Sequence, residues 1–202
     1  MTPAPRPPLI AFEGGEACGK STQAAILATR LDAVLTREPG GTPLGEAVRD
    51  LLLDPRGESI EPRAEALLMA AARAQHVSRV IGPALAAGRS VVTDRFTGSS
   101  LAYQGFGRGL EVDQVAAVSC FATAGLVADV VVLLELPPVV AAARRSRAPD
   151  RLEAEGEEFH QRVLDGFAAL ASADPGRWVR VDGDGSPEEV ADRVWAAVGP
   201  RL

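Results

Sequence analysis

The chain has 202 residues, 47% of them hydrophobic and only 4% aromatic, which suits one domain with a core built mostly from Ala, Val and Leu. Its formal net charge of −6 argues against nucleic acid as the main partner, because a phosphate backbone is gripped by a basic surface; any anion site must be local. Cys18 and Cys120 have no framework spacing, no secretory signal is recognisable, and the apolar stretch 130–136 is far too short to cross a bilayer, so the expectation is a cytoplasmic protein without a membrane partner.

Residues 1–8 are Pro-rich and read as a short disordered lead. Leu9 to Phe12 reads as a buried strand running into Glu13 and a Gly-rich turn, followed by a helix from about Lys20 to Leu31. Val34 to Thr36 is a second short strand, ended by Pro39-Gly40-Gly41. The apolar spacing of Leu44, Val48, Leu51 and Leu52 predicts a helix, and Asp54 to Gly57 a turn. A long helix is expected over Pro62 to Ala87, kinked at Gly82-Pro83 and stopped by Gly88. Ser90 to Thr93 is a strand ending at Asp94-Arg95, Gly105 to Gly109 a loop, and Glu111 the start of another helix. Val130 to Leu136 has the continuous apolar character of a central parallel strand. Helices over Pro138 to Ala148, Glu155 to Ala171 and Pro187 to Val198, and a strand over Trp178 to Asp182, complete the pattern. Strands alternating with helices indicate a single α/β domain with a parallel five-stranded sheet.

The segment Gly14-Gly15-Glu16-Ala17-Cys18-Gly19-Lys20-Ser21 satisfies G-x-x-x-x-G-K-[ST] between a predicted strand and a predicted helix. Its glycines let the backbone wrap a phosphate with N–H groups, and the helix N-terminus adds a favourable dipole. Lys20 would reach the β- and γ-phosphates of ATP, and Ser21 could place its hydroxyl on Mg²⁺, with Thr22 continuing the cradle. Lys20 is the only lysine in the chain, and there is no asparagine. The Asn-Lys-x-Asp or Thr-Lys-x-Asp segment with which GTPase switches read guanine therefore has no counterpart.

These motifs, together with Phe12-Glu13, Thr36 to Thr42 (TREPGGT), Asp94-Arg95 and Ser99 to Gly109 (SSLAYQGFGRG), resemble the bacterial thymidylate kinase family. The resemblance runs from residue 9 to residue 153 and implies the P-loop NTPase fold with a short arginine-rich lid at about 144–153. It implies transfer of the γ-phosphoryl group of ATP to dTMP, with Mg²⁺ held through Ser21 and Asp94, unless Asp94 serves instead to orient Arg95. It makes Arg95 the clamp on the acceptor phosphate, where guanidinium offers bidentate hydrogen bonds, and Arg37 a second arginine nearby. Glu38-Pro39 corresponds to a strained turn in that family, and its isomer, cis or trans, is left open by the sequence.

Tyr103, the only tyrosine, would lie against the sugar's 2′ carbon; the alternative is a structural aromatic. Arg73 resembles the arginine that contacts the thymine ring, with Ser100 and Gln104 near the base. Met69 stands where the family usually has a stacking Phe. Arg144, Arg145, Arg147 and Arg151 form a basic cluster in which 144, 147 and 151 fall near one helical face. It reads either as a solvated helix paired with Glu153, Glu155 and Glu157 or as lid arginines acting on the transferring phosphoryl group. Ala17 in the loop, where one subtype of the family carries arginine, points to the subtype that uses lid arginines. Glu16 matches the loop carboxylate that contacts the acceptor and should point away from the phosphate cradle. Cys18 is either a reactive thiol at a helix N-terminus or a small residue that fits. The family pairs helices like 62–87 in a homodimer, which is expected here too. Two other readings stay open: a kinase for another nucleoside monophosphate or a deoxynucleoside, and an ATP-binding regulator without transfer activity.

Overall fold

A computed structural model describes residues 6–144 and 148–202. Five strands, β1 (Leu9–Glu13), β2 (Val34–Arg37), β3 (Val91–Asp94), β4 (Val130–Glu135) and β5 (Trp178–Asp182), form one parallel sheet in the order β2-β3-β1-β4-β5. Every residue of the central β1 is buried, as a parallel strand covered on both faces requires. Alternate strand residues serve opposite faces. Ile10, Phe12, Val92, Val132 and Val181 meet helices α1 (Lys20–Leu31) and α9 (Pro187–Val198) through Ala24, Leu27, Val190 and Val194. Leu9, Ala11, Val91 and Val131 meet Ile81, Leu85 and Phe96 on the other face.

Parallel strands end at one edge, and here each ends on a charged residue: Glu13, Arg37, Asp94, Glu135 and Asp182. That edge is where open α/β sheets bind ligands. Helix α2 (Pro43–Leu53) starts from Thr42, whose hydroxyl accepts the Gly45 N–H. Helix α3 (Pro62–His76) continues through a π-helical stretch, Val77–Ile81, into α4 (Gly82–Ala86). The expected kink is replaced by this wider turn. Pro83 has no N–H to give and its ring crowds the preceding carbonyls, and the Gly82 N–H instead reaches Val77 O in i→i+5 fashion.

A second departure concerns Gly105 to Gly109, expected as a loop. After the short helix α5 (Thr97–Ser100) the chain enters another π-helical stretch, Leu101–Gly107, before helix α6 (Val112–Thr123). The glycines serve close packing here. A Cβ on Gly107 would lie 2.8 Å from both Phe159 and Val163, and one on Gly166 would lie 2.7 Å from Phe106. Helix α8 (Glu157–Ala173) thus beds directly on the π-helical backbone, and Phe159, Val163 and Phe167 close a core cluster with Tyr103 and Leu133.

Helix α7 is described over Pro138–Arg144; Ala148, its expected end, lies outside a helix, and turns run over residues 151–154. Arg145 and Arg147 lie outside the described residues, as do residues 1–5 of the lead. The rest of that lead is tied down rather than loose: Pro8 O accepts the Val91 N–H and Arg6 pairs with Asp129 at 2.7 Å. Among the described residues no helix is long and apolar enough to cross a membrane.

Gly107→Ala should force α8 away from the π-helical stretch at a cost of about 1–3 kcal/mol, the usual range for overpacking. A fall of several degrees in Tm in a thermal melt is the expected result, and an unchanged Tm would show that the contact is not needed.

Candidate active site

The turn after β1 is shaped by left-handed backbone at Gly14 (φ 139°), Ala17 (φ 57°) and Gly19 (φ 93°). Ala17 adopts a conformation that costs a non-glycine residue of order 1–2 kcal/mol, so the surrounding contacts must over-determine it. Lys20, at the first position of α1, folds back over the loop and donates to Gly15 O at 2.5 Å. Cys18 is buried in the core beneath the loop, its Sγ 3.5 Å from Lys20 Nζ. The Ser21 hydroxyl donates to Asp94 Oδ2 at the end of β3, while Asp94 Oδ1 is buried without a hydrogen-bond partner among the described residues.

Gly19, Lys20, Ser21, Thr22, Arg37, Asp94 and Arg144 face one cavity of about 550 Å³. Arg144 overlooks the loop from α7 and donates to Gly183 O at 3.1 Å. A neighbouring cavity of about 330 Å³ runs between Cys18, Thr22, Gln23, Arg144, Gly183 and Pro187.

Arg95 holds the centre. Its backbone is left-handed (φ 70°) and its N–H bonds Phe12 O at 2.9 Å, so the chain turns sharply off β3 and swings the guanidinium towards the loop. Nη1 donates to Gly14 O at 3.2 Å and Ser99 Oγ at 3.0 Å. Nη2 donates to Glu16 Oε1 at 2.5 Å and the Tyr103 hydroxyl at 3.2 Å. Tyr103 in turn donates to Glu16 Oε1 at 2.5 Å. Glu16 therefore points away from the cradle, as expected. Burial pushes its carboxyl up, but the charges of Arg95 and Lys20 and the Tyr103 hydroxyl outweigh that and hold it at about 2.

Beneath this knot sits Glu13, fully buried. Its Oε1 accepts the N–H groups of Phe96 and Ser99, each at 3.0 Å, and its Oε2 accepts the Ser99 hydroxyl at 2.5 Å. Burial pushes its carboxyl up to about 7 against the opposing pull of those bonds and of Arg95.

A second cavity gathers Glu16, Met69, Arg73, Arg95, Ser100, Tyr103 and Gln104, the residues expected around an acceptor except Arg37. Arg37 lies on the other cavity, half-exposed and paired with Glu46 at 2.7 Å. Arg49 of α2, which sequence reasoning missed, faces both cavities and is fixed by a bond to Pro39 O at 3.0 Å. Its position beside Val48 in an amphipathic helix gives no signal of its own, because it is the cis Glu38-Pro39 turn that it packs against. Arg73 is held on every side: Nε donates to Glu38 at 2.7 Å, Nη1 to Ser100 at 3.1 Å and Ser119 at 3.4 Å, and Nη2 to Phe96 O at 3.0 Å. Glu38 also bonds His76, which reaches Thr36 at 2.6 Å.

Arg151 overturns an expectation. It does not share a helical face with Arg144; it lies in a turn beyond α7, with Nε on Leu52 O at 2.7 Å and Nη2 on Glu65 Oε2 at 2.6 Å. The carboxylate of Glu65 draws it to α3, away from the phosphate loop. Arg147 lies outside the described residues.

The phosphate loop and the second pocket share Glu16 and Arg95 as a wall. That layout is the one in which a phosphoryl group passes between two bound molecules, and it defines a P-loop phosphotransferase. A family model described as thymidylate kinase matches residues 12–194. The chain is 55% identical over 198 residues to the thymidylate kinase of Synechococcus sp. (strain JA-3-3Ab), covering 96% of each chain. It is 46% identical over 199 residues to that of Deinococcus radiodurans, covering 95% of this chain and 96% of the relative. Among solved structures it is similar to thymidylate kinase from Ehrlichia chaffeensis, with a TM-score of 0.78 and 28% identity over 95% of this chain and 98% of that one. The chain belongs to the thymidylate kinase family.

The raised carboxyl of Glu13 makes stability depend on pH. Between its ordinary 4.5 and about 7 the folded protein keeps a proton that the unfolded chain releases. The site's contribution is therefore full below that window and lost as pH rises through 7. Glu13→Gln cannot ionise, so its Tm relative to the parent should climb from pH 5 to pH 8, by the equivalent of about 2–3 kcal/mol. A difference in Tm that stays flat across a pH series of melts would place Glu13 in its ionised form throughout.

Proposed function

We propose that the chain transfers the γ-phosphoryl group of ATP to dTMP, giving dTDP and ADP in the route to dTTP. The observation that carries this reading is that Arg95, pinned by Glu16, Tyr103, Ser99 and Gly14, belongs to the walls of both cavities. A phosphate on its outer face would stand between the acceptor pocket and Lys20. The acceptor is already an anion, so no general base is required, and catalysis reduces to alignment and neutralisation of charge.

Lys20 and the loop amides serve the β- and γ-phosphates, and Arg95 the acceptor phosphate, with Arg37 and Arg49 beside it. Arg144 approaches from the lid side. Arg151 supports the pocket wall rather than the phosphoryl group. Ser21 and Asp94 would hold Mg²⁺, and the fit has a basis in this fold: Asp94 Oδ1 is buried and has no partner among the described residues, and this cation needs only one or two protein ligands beside phosphates and waters. When bound, the ion would neutralise charge developing between the donor phosphates. Tyr103, with its ring edge-on to Phe159 and Phe167 and its hydroxyl engaged, suits a wall that leaves no room for a ribose 2′-hydroxyl. Adenine would occupy the slot by Gly183 and Pro187.

We also place the protein in the cytoplasm, as a homodimer. Leu67 on α3 and Phe121 on α6 are 59% and 89% exposed on two helices packed against each other, and a partner copy would take these apolar side chains out of water. Sedimentation at micromolar concentration should give twice the chain mass, and a monomer there would remove the dimer.

ADP formation measured across nucleoside monophosphates and deoxynucleosides should favour dTMP. A flat profile, or preference for another acceptor, would overturn the assignment. Lys20→Ala should lower turnover at least about a hundredfold with an unchanged circular dichroism spectrum. Near-parental turnover would remove Lys20 from the mechanism.

A further inference from the structure

Glu65 lies in the first turn of α3 and is fully buried, yet nothing in the phosphoryl-transfer reading uses it. Its partners come from distant segments. Oε1 accepts Gln104 Nε2 at 2.9 Å and Arg108 Nε at 3.3 Å. Oε2 accepts Arg108 Nη2 at 3.0 Å and Arg151 Nη2 at 2.6 Å. Burial pushes the carboxyl up, but the bonds from Arg108, Gln104 and Arg151 outweigh it and hold it below the usual carboxylate range. An ionised carboxylate only accepts hydrogen bonds. Beside it, Gln104 has no choice of orientation: its amide nitrogen must face Glu65, which leaves the amide oxygen for the cavity that Gln104 lines.

On the same cavity Arg73 has spent four N–H groups on Glu38, Ser100, Ser119 and Phe96 O; of the five a guanidinium carries, one remains. The pocket thus offers a fixed acceptor and a fixed donor. A thymine imide edge, with an N3–H donor beside the O4 acceptor, is complementary to that pair. A cytosine edge, with an N3 acceptor beside the N4 amine, is its inverse.

We propose that Glu65 is a positioning residue for acceptor selectivity, setting the sense of the Gln104 amide so that the pocket accepts an imide N–H and rejects an amidine-type edge. The inference rests on the reading of this cavity as the pyrimidine pocket. Without the carboxylate, Gln104 could present either end, and discrimination between the two bases would fall while the phosphate chemistry stayed in place. A site built around a hydrogen bond discriminates far more strongly than an apolar one, because the wrong ligand leaves buried polar groups unpaired.

The experiment compares kcat/KM for dTMP and dCMP in the parent, Glu65→Gln, Gln104→Met and the double variant. The ratio of the two values should fall at least tenfold in Glu65→Gln, through KM for dTMP more than through kcat. It should fall no further when Glu65→Gln is added to Gln104→Met, because residues acting through one contact are not additive. A ratio within twofold of the parent, or an equal fall in the Gln104→Met background, overturns the proposal, since a merely structural Glu65 would act regardless of Gln104. A parent that turns over dTMP no faster than dCMP overturns the pocket reading and the proposal together, and so is distinguishable from failure of the proposal alone. Should Glu65→Gln not fold, the parent itself supplies the test. In glutamine-labelled protein the Gln104 side-chain NH₂ should exchange at least tenfold more slowly than that of exposed Gln114, and equal rates would overturn the inference.

Discussion

The site depends on one buried contact between the two central strands. Glu13 at the end of β1 takes two backbone N–H groups and a hydroxyl from the turn that leaves β3. Because β1 and β3 are parallel neighbours in register, that carboxyl group lies beside the residue that must turn, and its bonds to the following turn hold Arg95 in a left-handed conformation few residues adopt unaided. Gly98 is part of the same constraint: a Cβ there would meet Glu13 Oε1 and Trp178 at 2.8 Å, so the helix start can approach the carboxylate only without a side chain. With Arg95 fixed, Glu16 and Tyr103 have a partner, the loop carboxylate turns away from the cradle, and two cavities acquire a common wall.

Such a wall suits an acidic protein. The net charge of −6 would keep phosphates away from most of the surface, and screening at physiological salt limits reach to about 8 Å. The cationic groups that matter are therefore brought to the strand edge one at a time: Lys20 from a helix start, Arg95 from a strand end, Arg49 from α2 and Arg144 from α7. Each is pinned by backbone carbonyls or carboxylates, which lowers the entropy lost when a ligand arrives.

Local features were legible in the sequence and long-range ones were not. The phosphate loop, β1, α1, β4 and β5 follow from spacing within a few residues, and their limits fall within a residue or two of expectation. Arg151 was misplaced because helical periodicity was extended past Arg144, whereas its position is set by Glu65, 86 residues away. Gly105 and Gly107 look like loop glycines until Val112 is brought against the first and Phe159 and Val163 against the second. Arg49 and Glu65 carry no motif, and their roles exist only once α2, α3 and the second π-helical stretch converge. Met69, Arg73 and Gln104, which line one cavity, were grouped through resemblance, since nothing in their spacing alone fixes what they face.

Met69 gives the pocket a flexible, polarizable wall where a flat ring would restrict the plane of a base. On the proposed reading of this cavity, selectivity then rests on hydrogen bonds whose direction does not drift. The two groups suited to that task, Arg73 and Gln104, are each held from behind by a buried carboxylate, Glu38 and Glu65. Buried ion pairs are a poor source of net stability, because desolvation cancels much of the Coulomb attraction. Two buried carboxylates behind one wall of one cavity are better explained by rigidity: a guanidinium with a single N–H left over and an amide with one permitted orientation can be wrong in few ways. Glu65 also draws Arg108 and Arg151 inward, so the wall beyond Arg144 is fastened to the helix that carries Met69 and Arg73.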